Sequence, residues 1–434
     1  MKKRKLKIWV KLLIIGVIIG GYLIYQKRGI KENIEDSNQK NNVIQVDYVT
    51  RINNIIEDVD KDFLTWVNNK YPESLVLIDN YLKDNNYDEK IWHEYTGYSL
   101  NVLNDLYNGI DIKIIESSDV ATIDFVGDVS LADNWQIMPE YDNRNKGIYG
   151  ILSEDIVKIL NDSNFLVVNS EFTVSNRGEA LKGKAFTFKA KPERLKIYYE
   201  MGVDLALLAN NHVYDFGANA FLDMLDYFKE YKIPAIGAGH NLEEASKPYN
   251  VVINGYKLAF LNCTRAEKNI MTPGATDDSA GVLRCYDTTN MVNAIKKART
   301  NSDYVIASVH FGKEGSHFLE DVQVKSAKEY IDAGADMVVG HHAHVLQGIE
   351  MYKDKPIIYN LGNFIFNKVE LDTAIFEVRI SRNGNMDYYM IPGIQKDEYT
   401  SLANDVDKKR IINNLNKWSV NASIDEFGHI TKKS

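Results

Sequence analysis

The chain has 434 residues, 45% of them hydrophobic and 26% charged, with 8 prolines and 27 glycines. That excludes collagen-like and low-complexity material and fits two or three globular domains. Residues 1–31 carry nine Lys/Arg and no acid, so a net charge of −9 leaves −18 on the remainder, which excludes a general nucleic-acid binder.

The chain opens MKKRKLK and then runs apolar from Ile8 to Tyr25, with Lys11 as the one interruption. Such a helix spans about 27 Å, the thickness of a hydrocarbon core. Basic residues before the span place residues 1–7 in the cytoplasm and everything after Lys27 outside. No small-residue cleavage site follows, so residues 1–29 are expected to be a single-pass signal-anchor in the cell membrane. Outside the cytoplasm the only two cysteines, Cys263 and Cys285, are read as either a bridge or two buried thiols. Two cysteines also exclude a disulfide-dense scaffold.

A polar linker is expected at 30–43. Ile52, Ile55, Ile56, Val59, Phe63, Trp66 and Val67 then recur at helical spacing. Pro72 opens a second helical stretch and 91–107 a third, giving a helical membrane-proximal segment over 44–115. From Ala121 short apolar runs alternate with helical patterns near 151–161, 192–201, 217–231, 287–299 and 322–333, as in an α/β layered sheet. NGNM at 383–386 is a hairpin turn between alternating strands. A main domain over 120–395 is expected, then a helix near 405–418 and a polar tail within 396–434.

Ligands in α/β sheets gather at the carboxyl ends of strands. Asp128, Glu171, the run Asn210-Asn211-His212, His310, and the run His341-His342-Ala343-His344 end five expected strands in turn. Five of the nine histidines lie between His310 and His344, a clustering that core packing does not explain. Singly, each motif also fits a turn, a cap or a surface carboxylate. Jointly, carboxylate, amide and imidazole suit Mn, Fe, Zn or Mg. Two divalent ions about 3.5–4 Å apart would ionise a water near neutral pH, and a free histidine would protonate a leaving group.

The series GDVSLAD, NSEFTVSNRG, LLANNHVYDFG, VHFGKEG, GHHAHVLQG and LGNFIF, in this order, resembles the CapA family of capsule or poly-γ-glutamate synthesis proteins. That family is related to the calcineurin-like metallophosphoesterases, and the resemblance covers about residues 120–368. It implies a four-layer α/β/β/α sandwich with its site at one sheet edge. It implies Asp128, Glu171, Asn211, His310, His342 and His344 as metal ligands, with Glu171 bridging and His212 as general acid. The histidine of the related enzymes' Asp-x-His is Ser130 here, which thins one ligand set, and His341 becomes an extra residue. Asn210, Asp215 and Glu314 are expected to meet substrate.

Two functional readings are open on the sequence. In one, the protein is an extracytoplasmic metal-dependent hydrolase of a phosphoester or of a cell-surface polymer amide. In the other, the same cleft holds an anionic polymer such as polyglutamate without catalysis, and the helical segment docks membrane proteins of a synthesis complex.

Overall fold

The computed structural model describes residues 48–57, 59–267 and 270–433. The described strands all belong to one compact unit, Ile52–Ser434. The expected membrane span and linker lie outside the described residues. Among the described residues no helix is long and apolar enough to cross a membrane.

Four helices lead into the sheets of this unit: Lys61–Lys70, Ser74–Asp84, Lys90–Thr96 and Leu100–Tyr107. Asp60 caps the first by accepting from the Phe63 amide at 2.7 Å, and Ser99 caps the last. The single stretch expected over 91–107 is two helices, because Gly97 takes a left-handed φ of 82° and ends the first of them. The segment is built into the sheets rather than standing apart from them. Lys257 pairs with Asp105 at 2.5 Å, and Ser99 and Asn101 both donate to Asp303. The strand Lys113–Ile115 pairs in parallel with Tyr249–Ile253.

Two mixed sheets form the body. The eight-stranded sheet runs Tyr399–Leu402, Met386–Lys396, Leu371–Ser381, Val120–Val129, Phe165–Ser170, Val203–Leu207, Ala235–Ile236, with Asn363–Ile365 also beside Val120–Val129. The seven-stranded sheet runs Lys113–Ile115, Tyr249–Ile253, Tyr256–Thr264, Tyr304–His310, Met337–His341, Lys355–Ile358, Ile349–Tyr352. Alternation along the strands sorts the apolar side chains into three cores. Ile123, Phe125 and Phe165 meet Phe260, Ile306 and Val339 between the sheets, with Phe165 and Phe260 at 5.1 Å. The outer face of the first sheet packs under helices Glu154–Asp162, Lys196–Met201 and Gly217–Glu230. The outer face of the second packs under Thr289–Arg299 and Asp321–Ala333. The layers are therefore α/β/β/α. Cys263 and Cys285 are free thiols in this last core.

The C-terminal region departs from the expected helix and polar tail. The helix is present as Asp405–Trp418, but Tyr399–Leu402 is a strand of the large sheet. The tail folds as a hairpin, Ala422–Ile424 with Ile430–Lys432, turning at Gly428 with φ 93° and burying Ile424 and Ile430. Strands of three residues are too short for alternation to show in sequence.

Two features of the strand Val120–Val129 bear on the site. Its register with Phe165–Ser170 shifts between Phe125 and Asp128, an irregularity that re-aims the strand end. Beside it the Asp128 amide donates to the Gly362 carbonyl at 2.8 Å, so close an approach that a Cβ on Gly127 would lie 2.0 Å from that oxygen. Gly127→Ala should therefore separate the strands and lower stability by about 3 kcal/mol or more, read as a drop in the urea midpoint.

Asp124, on the same strand, is buried directly opposite Glu377. Burial, with the Glu377 charge adding to it, pushes its carboxyl up to about 8. A carboxyl raised in the fold costs stability as pH climbs from its unfolded value near 4 toward 8. Asp124→Asn should leave stability unchanged at pH 4 and raise it by roughly 2–4 kcal/mol at pH 8, measured by denaturant titration at both values.

Candidate metal centre

The five chemistry-bearing strand ends open at one edge of the sandwich. Asp128, Glu171 and Asn210–His212 follow three adjacent parallel strands of the larger sheet. His310 and His341 end two adjacent parallel strands of the smaller sheet, where they pair in register. The two sheets thus deliver carboxylates from one side and imidazoles from the other.

Ligand atoms of Asp128, Glu171 and His310 all lie within 4.8 Å of one another, and so do those of Glu171, His342 and His344. Glu171 belongs to both groups. Its Oε1 stands 3.6 Å from His310 Nε2, 3.6 Å from His344 Nε2 and 3.9 Å from His212 Nε2. These gaps are too long for hydrogen bonds and suit ligands arranged about a cation at about 2.0–2.2 Å from each. Glu171 Oε1, His342 Nδ1 and Ser130 Oγ are buried without hydrogen-bonding partners, which an apolar filling would not satisfy and a cation with its water would. The donor set of carboxylate oxygens and imidazole nitrogens fits divalent ions.

The electrostatics favour the same occupant. Burial pushes the Glu171 carboxyl well above its ordinary range, and the charges of Asp128, Glu314 and Asp215 add to it. Burial also drives His310 well below its usual value and takes His342, beside His344, down to about 3. Burial therefore favours the neutral form of both imidazoles, the form that binds metal. Asp128 and His344 behave oppositely. Burial opposes their charged forms, but the 3.0 Å contact between His344 Nδ1 and Asp128 Oδ2 outweighs it, lowering the acid and raising the base. His344 Nδ1 also donates to Asn363 Oδ1 at 2.8 Å, which turns its Nε2 toward Glu171.

Asn211 joins the cluster through Oδ1, 2.8 Å from His310 Nε2. His212 leaves its Nε2 facing Glu171 while Nδ1 bonds Asp215 Oδ2 at 2.7 Å, and its ring packs on Phe188 at 4.3 Å. His341 turns away to the Val126 carbonyl. Two residues expected to meet substrate do something else. Asn210 is fully buried, donating to the Ser170 carbonyl and accepting from the His212 amide. Asp215 is fully buried, holding His212, the Phe188 amide and the ammonium of Lys184. Their polar atoms are engaged in shaping the loop. Glu314 is exposed on the loop after His310, near enough for its charge to act on Glu171 and His344.

Three contributors carry no role in the sequence reading. Asn169 and Asn363 lie inside motifs already singled out, and that is their only signal. Lys184 comes from the loop before Phe188, with its side chain only 4% exposed and paired to both Asp215 and Glu267 at 2.6 Å. A lysine in a polar loop gives no hint of this.

A family model described as bacterial capsule synthesis protein PGA_cap matches residues 122–368. The capsule biosynthesis protein CapA of Bacillus anthracis is 33% identical over 242 residues, 54% of this chain and 58% of that protein. The chain thus spans little more than half the length of that relative. The PGA biosynthesis protein CapA of Bacillus subtilis (strain 168) is 29% identical over 323 residues, 73% of this chain and 83% of that one. Among solved structures, a Staphylococcus aureus protein described as a 5'-nucleotidase, in complex with alpha-ketoglutarate, aligns with a TM-score of 0.43. Its identity is 12%, over 69% of this chain and 59% of its own.

Proposed function

The chain belongs to the bacterial capsule synthesis family PGA_cap, and on that premise we propose a membrane-anchored, extracytoplasmic metal-dependent hydrolase serving poly-γ-glutamate capsule synthesis or export. The observation that carries the hydrolase is Glu171, one fully buried carboxylate shared by two groups of ligand atoms. The apolar run at residues 8–25 and the basic residues before it support the address.

When bound, a pair of divalent ions supplies Lewis acidity and a water nucleophile at neutral pH. The chain's own residues do the rest. Asp128, Glu171, Asn211, His310, His342 and His344 would hold the ions, with Glu171 common to both. His212 offers Nε2 as the proton donor to a leaving oxygen or nitrogen. Donation from Nε2 needs the doubly protonated ring, whose charge Asp215 would balance by accepting from Nδ1, and Phe188 fixes the ring plane. Glu314, exposed on the loop after His310, would sense the charge of an incoming polymer. The substrate is a phosphoester or an amide of a cell-surface polymer.

The test is metal analysis of the full-length protein in detergent, then phosphodiester and γ-glutamyl substrates with Mn, Zn, Fe or Mg restored. Metal-dependent turnover supports the proposal. Bound metal with polymer binding and no turnover favours the non-catalytic assembly reading instead. A protein that takes up no metal overturns the centre. Protease protection of the body in intact cells would overturn the address.

A further inference from the structure

Asn169 is 1% exposed and sits against all three members of the Asp128, Glu171 and His310 group. Its Nδ2 donates to Asp128 Oδ1 at 2.8 Å and to Glu171 Oε2 at 3.2 Å, and lies 3.4 Å from His310 Nδ1. On the other side of the same amide, Oδ1 is buried with no hydrogen-bonding partner. An amide arranged this way donates to both carboxylates at the cost of stranding its own acceptor.

We infer that Asn169 is a metal ligand: with a divalent ion in the Asp128, Glu171 and His310 group, its amide turns over and Oδ1 binds the ion. The inference rests on the metal reading above and adds a donor to it. A cation among these three side chains would face the partly positive NH₂ group, which repels it. Rotation of the terminal torsion exchanges nitrogen for oxygen with little change in shape. The exchange puts the stranded acceptor to use and gives this group a fourth protein donor, a number at which divalent sites are commonly closed or nearly so. Asn211 reaches the same neighbourhood from the adjacent strand end, so the larger sheet would contribute two amides along with its carboxylates.

The experiment is calorimetric titration of Mn²⁺ into metal-stripped full-length protein and two variants, Asn169→Ala and Asn169→Asp, with thermal shift as a second readout. The wild type should bind two ions. Asn169→Ala should weaken one of them by about 10²-fold or more and spare the other. Asn169→Asp should recover that ion to within about tenfold, because a carboxylate oxygen replaces the amide oxygen. A residue that only donates to Asp128 and Glu171 gives the opposite ordering. Asp has no N–H to donate and adds repulsion, so Asn169→Asp binding no better than Asn169→Ala would overturn the inference. Wild-type affinity in Asn169→Ala would overturn it too. Absence of binding by the wild type would instead remove the metal reading itself. If Asn169→Ala fails to fold, Asn169→Asp alone decides: near-wild-type binding supports ligation and loss of one ion refutes it.

Discussion

Glu171→Gln should abolish the stabilisation that metal gives to this protein while leaving the metal-free fold no weaker. Glu171 is fully buried, and burial with three neighbouring acids raises its carboxyl. An ionised group there is a burden, and Gln has the same shape without the charge. The metal-free variant should therefore melt at or above the wild-type temperature at pH 7. With metal, the order reverses. A ligand at a hundred times its dissociation constant stabilises by about 2.7 kcal/mol per site, and Glu171 belongs to both groups of ligand atoms of the proposed centre. The wild type should gain about 5 kcal/mol with Mn²⁺ on that count, and Glu171→Gln close to none. Differential scanning fluorimetry with and without Mn²⁺ separates the two effects. A variant that keeps the full metal-dependent gain would show that Glu171 is not shared.

His212→Asn should cut turnover by about 10²–10⁴-fold with metal content unchanged. His212 belongs to neither group of ligand atoms, although its Nε2 lies 3.9 Å from Glu171 Oε1. Its Nδ1 is committed to Asp215, and Lys184 pairs with the other Asp215 oxygen. The loss should shrink for substrates whose leaving group needs no proton, such as a nitrophenyl ester. Uniform loss across leaving groups would assign His212 to holding the loop. That alternative has some support in the structure, since the Asp215 pairing also ties this loop to Phe188 and Lys184. Stability measured beside turnover decides, because a loop pin would cost about 1 kcal/mol or more.

The parts of the site visible in sequence are those with a local signature. A strand end is local: an apolar run followed by Asp, Glu, Asn or His shows where a ligand is offered. Asp128, Glu171, His310, His342 and His344 are all of this kind, and the structure brings them together. Asn169 meets Asp128 across 41 residues and His310 across 141, a relation fixed only by the strand order of two sheets. The loop partners of Asn210 and Asp215 are hidden for a related reason. A polar residue beside a motif looks the same whether it faces the cleft or the chain, and burial decides that. The helix Ile137–Arg144 escapes notice because it is short and carries Pro139 in its first turn. The break at Gly97 is hidden by apolar residues that keep helical spacing on both sides.

His342 and His344 hold backbone φ of 95° and 59°, the left-handed region where glycine or asparagine sits with least resistance. Each such placement costs about 1–3 kcal/mol and persists where something else demands the side chain. This bears on inheritance. In a lineage whose cleft no longer binds metal, nothing would keep histidine at these two positions, and substitution to glycine would be rewarded at once by a firmer fold. Decay of the centre should therefore begin there and be fast, well before the buried carboxylates change. A relative with glycine at both positions is expected to hold metal more weakly and to fold more firmly than one that retains both histidines.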